Sequence, residues 1–336
     1  MKALYWTEGT KVEVIDAQEP SVQPGMIKVK IHYASICASD VSLVESKKYG
    51  VSPPHALGHE CCGTVVELGS DTEKYGYNVG DRVAVSSMTA CGYCDNCKRG
   101  NDVWCENPFY QPRFAEYGLF KPPMLYKIPE NADDILPYCL LEPCSSAMRG
   151  VDLSAVKLGD NIAIFGTGGI GLIILNLLLL SGGTKVTVIE PGEEKRKRAL
   201  AMGADYVVDP ASEDVVARLQ EINPRGYDVV FEVSGTDSAA RAALEVMAIR
   251  GTIVYYAMYP VDYILPLSLH KIQRKELRIQ TVMNTSLINN SRVMDIIPKL
   301  QMDKLIGIVL PLSEGAKAWD LFKQSIYPKI VLKCFK

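Results

Sequence analysis

Four of the chain's ten cysteines crowd into the stretch ACGYCDNCKRGNDVWC, at Cys91, Cys94, Cys97 and Cys105. Thiols at that density pair as disulfides, ligate an iron–sulfur cluster, or close one tetrahedral metal site. The N-terminal segment MKALYWTEGTKVEV lacks the apolar core of a secretory signal, so a cytoplasmic setting is expected. Thiols stay reduced there, which weighs against disulfides. A second set of donors is scattered through the chain: Cys37 in ASICASDVSL, His59 and Glu60 in LGHECCG, and Glu142 in LLEPCSS. Thiolate, imidazole and carboxylate together suit zinc. A site with fewer than four protein ligands keeps a place for water or substrate.

A third constellation suits phosphates. FGTGGIG sets Gly166, Gly168 and Gly171 in G-x-G-x-x-G spacing, directly off an apolar strand and into an apolar helix. Gly166 permits the tight turn, Gly168 lets backbone approach a pyrophosphate, and Gly171 allows close helix–strand packing. Gly169 and Ile170 open the helix, whose unpaired N–H groups would meet the phosphates. Glu190 ends the next strand, nineteen residues after Gly171, where a carboxylate binds ribose hydroxyls and repels a 2′-phosphate. NAD is therefore favoured over NADP. The basic run from Lys195 through Arg196 and Lys197 to Arg198 pulls the other way, since cations there would accommodate NADP.

The elements that must hold these groups show in the rhythm of the chain. Short strand-like runs punctuated by Gly and Pro fill the first ~150 residues, among them MIKVKIHYA, GTVVELG and DRVAVSS, as in a barrel-like body. From about residue 158 strands and helices alternate: DNIAIFG, GIGLIILNLLLLSG, KVTVIEP, EEKRKRALAMG, DYVVD, EDVVARLQEIN, DVVFEVSG, SAARAALEVMAI, GTIVYYAM. That order predicts parallel βαβ units with right-handed crossovers. A helix in SRVMDIIPKL and a strand in PKIVLKCF follow.

Taken in order, GHE, the upstream C-x-S-D, the four-cysteine lobe and the glycine loop resemble the zinc-dependent medium-chain alcohol dehydrogenases over essentially the whole chain. LEP, where other branches carry a cysteine, is similar to the polyol (sorbitol-type) branch. The resemblance implies an α/β fold. It would comprise a GroES-like, mainly β catalytic domain at residues 1–150 with a zinc lobe at about 88–108, a doubly wound Rossmann domain at 151–282, and a return to the catalytic domain at 283–336. It implies two zinc ions per chain: a structural one on Cys91, Cys94, Cys97 and Cys105, and a catalytic one on Cys37 and His59. Glu60 and Glu142 are both candidates for the remaining coordination. Zinc there would act as a Lewis acid on a secondary alcohol, whose hydride passes to NAD. Ser39 matches the hydroxyl that takes the alcohol proton, and Asp40 the group that orients His59. The expected substrate is a polyol, sugar alcohol or derivative. The rival readings are a hydroxy amino acid such as threonine, a simple diol or ketone, or a non-catalytic relative. A homodimer or homotetramer is expected.

Two departures from the family pattern stand out. Ser42 occupies the place where many relatives carry a relay histidine. In NPFYQPRFAEYGLF the usual Gly-rich loop is shortened, so Tyr110 and Arg113 are candidates to shape substrate choice, with Arg113 facing an anionic group. A surface arginine is the plainer expectation. His32, His55 and His270 carry no expected chemistry, and Cys61, Cys62, Cys139, Cys144 and Cys334 read as small buried apolar residues. Cys144 is a substitute ligand at most, and Met283 and Asn284 match the nicotinamide contact loosely. The remaining composition excludes other classes. With 36 basic and 39 acidic residues in 336, and no one-sign block, no nucleic-acid partner is expected. IGLIILNLLLL is broken by Asn176 and too short for a membrane span.

Overall fold

The computed structural model describes residues 1–46, 50–182 and 185–335. Its chain opens on a hairpin of β1 (Lys2–Glu8) and β2 (Lys11–Asp16), extended by β4 (His55–Ala56) against β1. A larger sheet is centred on β3 (Ile27–Ser35), where alternation in IKVKIHYAS turns Val29 and Ile31 inward. β5 (Cys61–Leu68) pairs with one edge of β3, and β6 (Arg82–Val85) pairs with β5. A short hairpin of β7 (Met88–Thr89) and β8 (Phe109–Tyr110) flanks the cysteine lobe. β9 (Tyr117–Phe120) also pairs with β3, and β10 (Leu125–Lys127) pairs with β6. Helix α1 (Ala38–Ser46) follows β3, and a single turn, α2 (Asp95–Lys98), lies inside the lobe.

Within helix α3 (Leu141–Ser154) the chain passes from one compact unit, Met1–Ser145 with Thr285–Lys336, to a second, Ser146–Asn284. The second unit alternates strands and helices as the sequence predicts: β11 (Asn161–Phe165), α4 (Gly169–Ser181), β12 (Lys185–Ile189), α5 (Glu193–Met202), β13 (Tyr206–Val208), α6 (Val215–Ile222), β14 (Tyr227–Glu232), α7 (Asp237–Glu245) and β15 (Met247–Tyr255). α8 (Leu269–Lys275) and β16 (Arg278–Thr281) complete it. All its pairings are parallel, in the order β13-β12-β11-β14-β15-β16. This is a doubly wound sheet, whose ligand crevice lies at the carboxyl ends of β11 and β14, where the strand order reverses. Most of α4 is buried, which explains its unbroken apolar run, and Asn176 within it donates to Leu172 O and Met202 Sδ. No helix among the described residues is long and apolar enough to cross a membrane.

The first unit resumes with α9 (Leu287–Met294), β17 (Ile306–Pro311) and β18 (Lys329–Lys333). β18 pairs with β3, so the end of the chain reaches the centre of the large sheet. Three details differ from the sequence reading. α9 starts before SRVMDIIPKL and ends short of Pro298, which cannot donate within a helix. Met247–Ile249 belong to β15 rather than to the preceding helix, because the chain there pairs with β14. α1, β17 and the helix Gly315–Lys323 have no counterpart in the sequence reading.

Two glycines in the phosphate loop are fixed by geometry. Gly166 has φ +98, in the left-handed region, and a Cβ on Gly171 would lie 2.1 Å from Gly166 O. Gly171→Ala is therefore expected to destabilise the protein by about 1–3 kcal/mol through overpacking. Calorimetry would show a lowered melting transition; a wild-type melting profile would mean the loop yields freely.

Candidate metal and dinucleotide sites

Cys37 immediately precedes α1, and Asp40 lies in the helix's first turn. One Asp40 oxygen accepts the Cys37 N–H at 3.1 Å, the carboxylate half of a capping box. The other accepts from His59 Nδ1 at 2.9 Å. Nδ1 thus carries the proton and Nε2 the lone pair, the tautomer a metal requires. Burial alone would lower the His59 pKa; the Asp40 carboxylate outweighs it and holds the imidazole well above its ordinary value. Nε2 faces Ser39 Oγ at 3.3 Å and Glu60 Oε1 at 4.0 Å.

Sheet pairing brings these groups together. Ala34 of β3 lies opposite Cys61 of β5, and the Ser35 N–H donates to Glu60 O, so Cys37 and Glu60 leave neighbouring strands side by side. One donor atom each from Cys37, His59 and Glu60 lies within 4.8 Å of the others. Glu60 is fully buried; Oε1 accepts from Lys329 Nζ at 2.5 Å, whereas Oε2 has no hydrogen-bond partner. An open carboxylate oxygen in a dry interior is unfavourable unless a cation meets it. The donor set therefore fits a metal ion.

Lys329 is the residue beside these donors that sequence reasoning missed. It opens β18, and its pKa is raised because the charge of Glu60 outweighs the cost of burial. Its one signal was a lysine at the head of the apolar run KIVLK. Glu142 lies near the start of α3 and falls outside the close trio. Removal from water raises its pKa; His59 opposes the rise and Glu60 adds to it. Cys144 is buried and outside the trio, with its pKa raised by burial, so it is not placed as a ligand. Cys61, Cys62, Cys139 and Cys334 are buried too.

In the lobe, the sulfurs of Cys91, Cys94, Cys97 and Cys105 lie within 4.8 Å of one another, with Cys91 and Cys97 4.0 Å apart. A tetrahedron with bonds of about 2.3 Å has edges near that length, whereas a disulfide needs about 2.05 Å. Backbone N–H groups point at the sulfurs: Cys91 N at Cys105 Sγ (3.1 Å), and Cys94 N at Cys91 Sγ (3.4 Å). Desolvation raises the Cys91 pKa, but N–H groups of Tyr93 and Cys94 outweigh it and bring it to about 6. Cys97 is pushed up to about 12, by desolvation first and neighbouring thiols next. Cys91 is thus disposed to meet a dication as thiolate, whereas Cys97 would lose its proton on metal binding.

At the end of β12, the Glu190 carboxylate accepts Thr167 N (3.0 Å) and Thr167 Oγ1 (2.8 Å) on one oxygen and Gly192 N (3.0 Å) on the other. It is tied into the glycine loop rather than extended into solvent. Lys195 Nζ stands 4.0 Å from it. Arg196 donates to Glu190 O and Pro191 O and pairs with Asp209, and Lys197 pairs with Glu193 and Glu194. A Cβ on Gly168 would meet nothing within 4 Å, leaving open space where a phosphate approaches.

The alcohol dehydrogenase GroES-like domain profile matches residues 23–130, and the zinc-binding dehydrogenase profile matches 169–299. L-threonine 3-dehydrogenase of Pyrococcus furiosus is 34% identical over 74% of this chain and 73% of its own. The chain belongs to the zinc-type medium-chain alcohol dehydrogenases. Sorbitol dehydrogenase of Halalkalibacterium halodurans is 29% identical over 83% of each chain. A zinc-binding dehydrogenase of Sinorhizobium meliloti, solved with NADP, superposes with a TM-score of 0.91 at 28% identity, over 99% of both chains.

One expectation for this dehydrogenase is corrected. Arg113 neither faces a cleft nor lies on the surface: it is 0% exposed, donates through Nη2 to Ser86 O, and packs over Phe120. The shortened loop turns it into the barrel. Tyr110 is 58% exposed, in the lobe-side strand β8. Met283 and Asn284 close the second unit.

Because zinc needs neutral His59, reconstitution of metal-free enzyme should weaken by about tenfold for each pH unit as pH falls through the raised imidazole pKa. The His59–Asp40 charge pair has the opposite sense. It stabilises the metal-free fold below the ordinary imidazole range and is lost as pH rises through the raised value. Zinc titration at several pH values checks the first, and melts of the metal-free protein the second. Metal analysis is expected to find two zinc ions per chain, and one in Cys97→Ser.

Proposed function

We propose that this dehydrogenase oxidises a secondary alcohol of a polyol, sugar alcohol or related compound to the ketone, reversibly, with NAD as hydride acceptor. The observation that carries the reading is the mixed thiolate–imidazole–carboxylate trio, in which Glu60 Oε2 is buried without a hydrogen-bond partner. Bound zinc would polarise the alcohol oxygen and make its proton acidic near neutral pH. The chain's own groups then divide the work. Asp40 fixes the His59 tautomer, and Lys329 holds Glu60 through its Oε1. Ser39 Oγ, beside His59 Nε2, is placed to take the alcohol proton. Glu142, further out, is suited to hold a water. With Ser42 in place of a relay histidine, the proton leaves without an imidazole step.

Two arguments narrow the partners. Among the described residues, the cations Lys329 and Arg113 that act on Glu142 are buried at 3% and 0% exposure, out of reach of a substrate carboxylate; this favours a neutral polyol over threonine. The Glu190 carboxylate, held by three donors, would meet ribose hydroxyls and repel a 2′-phosphate. A homodimer or homotetramer fits the exposed edge strand β16 and its neighbours Ile264 and Leu269, which present apolar side chains. A cytoplasmic home would keep the ten thiols reduced.

A panel of polyols, diols and L-threonine, followed by NADH absorbance, tests the reading. Highest kcat/KM on a polyol is expected, with no imidazole-like pKa in its pH profile; highest kcat/KM on L-threonine would overturn the substrate class. NAD should be preferred to NADP, and Glu190→Ser should narrow that preference by about tenfold through lost charge repulsion. A wild type preferring NADP would remove the role given to Glu190.

A further inference from the structure

A buried cation near the metal donors is only partly matched by hydrogen bonds. Arg113 Nη2 donates to Ser86 O, but Nε and Nη1 have no hydrogen-bond partner, in a residue that is 0% exposed. A buried guanidinium with open donors is unfavourable unless nearby negative charge compensates it. Its charge interacts with the Cys61 thiol first, which also hydrogen-bonds it, and then with the carboxylates of Glu142 and Asp40. The backbone belongs to the same construction. N–H groups of Arg113 and Phe114 both donate to Leu57 O, at 3.1 and 3.0 Å. The Phe114 ring packs so tightly on Gly58 that a Cβ there would lie 2.5 Å from it. Residues 113 and 114 thus clasp the turn that presents His59.

Formal charge gives the clasp a second role. With a divalent ion in place, Lys329 and Arg113 bring the positive charge level with that of the Cys37 thiolate and the Asp40, Glu60 and Glu142 carboxylates. Without Arg113 the group is left negative, before alcohol oxidation develops further negative charge on the substrate oxygen. We infer that Arg113 is a positioning residue for the dehydrogenase reaction: its guanidinium is the buried counter-charge of the metal donors, mounted on the clasp that holds the His59 turn. This rests on the function proposed above.

Zinc-loaded Arg113→Met and Arg113→Lys enzymes separate this role from packing. Arg113→Met is expected to lower kcat about tenfold, the effect of a charge acting through an effective dielectric near about 20, with little change in alcohol KM. It should release zinc to a chelator no faster than wild type, because a lost cation strengthens the pull on a dication. Arg113→Lys should recover most of the turnover. Wild-type kcat in Arg113→Met overturns the inference, as does faster zinc release, or an Arg113→Lys enzyme as slow as Arg113→Met. Arg113→Gln, which keeps a donor for Ser86 O, gives the same comparison if the methionine variant does not fold. Failure of the proposed function would read differently: a wild type without zinc at Cys37 and His59, or without alcohol oxidation.

Discussion

The contact between His59 Nδ1 and Asp40 Oδ1, at 2.9 Å, is the constraint on which the donor site depends. Asp40 caps α1 through one oxygen and grips the imidazole through the other. A carboxylate used in this way ties the helix after β3 to the turn before β5, beyond the point where the two strands pair. It also leaves Nε2 as the only ring atom free to bind an ion. The turn that delivers His59 requires glycine: Gly58 has φ +96, and the Phe114 ring occupies the space a side chain would need. Capping, tautomer and turn are thus one device.

Around that device the sheet supplies charge. β5, β3 and β18 are consecutive strands, so Glu60 at the head of β5, Cys37 beyond the end of β3 and Lys329 at the head of β18 converge although they are distant in sequence. Burying a carboxylate and an ammonium is costly in desolvation, and the pair alone is weak evidence of stability. Its physical sense lies in what it leaves open. Lys329 satisfies one oxygen of Glu60 and leaves the other dry and unpartnered, where a dication can meet it.

What the sequence could and could not reveal follows from range. The cysteine lobe and the glycine loop are contiguous, so their spacing alone carries their geometry; the parallel sheet follows from the alternation of short apolar runs with helices. Lys329 was invisible because its partner lies 269 positions earlier, and only the pairing of β18 with β3 reveals it. Arg113 was misplaced for a related reason. A charged residue in a loop is ordinarily solvated, and nothing in PRFAEY announces that the next residue's ring is wedged on Gly58, drawing the arginine inward. Glu190 was legible by position but not by posture: its ties to Thr167 and Gly192 depend on how the loop folds back.

Those same observations separate the two carboxylates that sequence leaves equivalent. A direct ligand should already stand among the other donors. Glu60 does so, with Oε1 4.0 Å from His59 Nε2 and held by Lys329. Glu142 does not: it lies outside the close trio, and removal from water drives its pKa upward. A carboxyl group poised nearer neutrality and set back from the ion is better suited to holding and exchanging a proton with water than to gripping a metal. On the reading proposed above, Glu60 would bind the ion and Glu142 would be its water-side neighbour. Such a division explains why both acids lie in one buried cluster, where two identical ligands would repel each other.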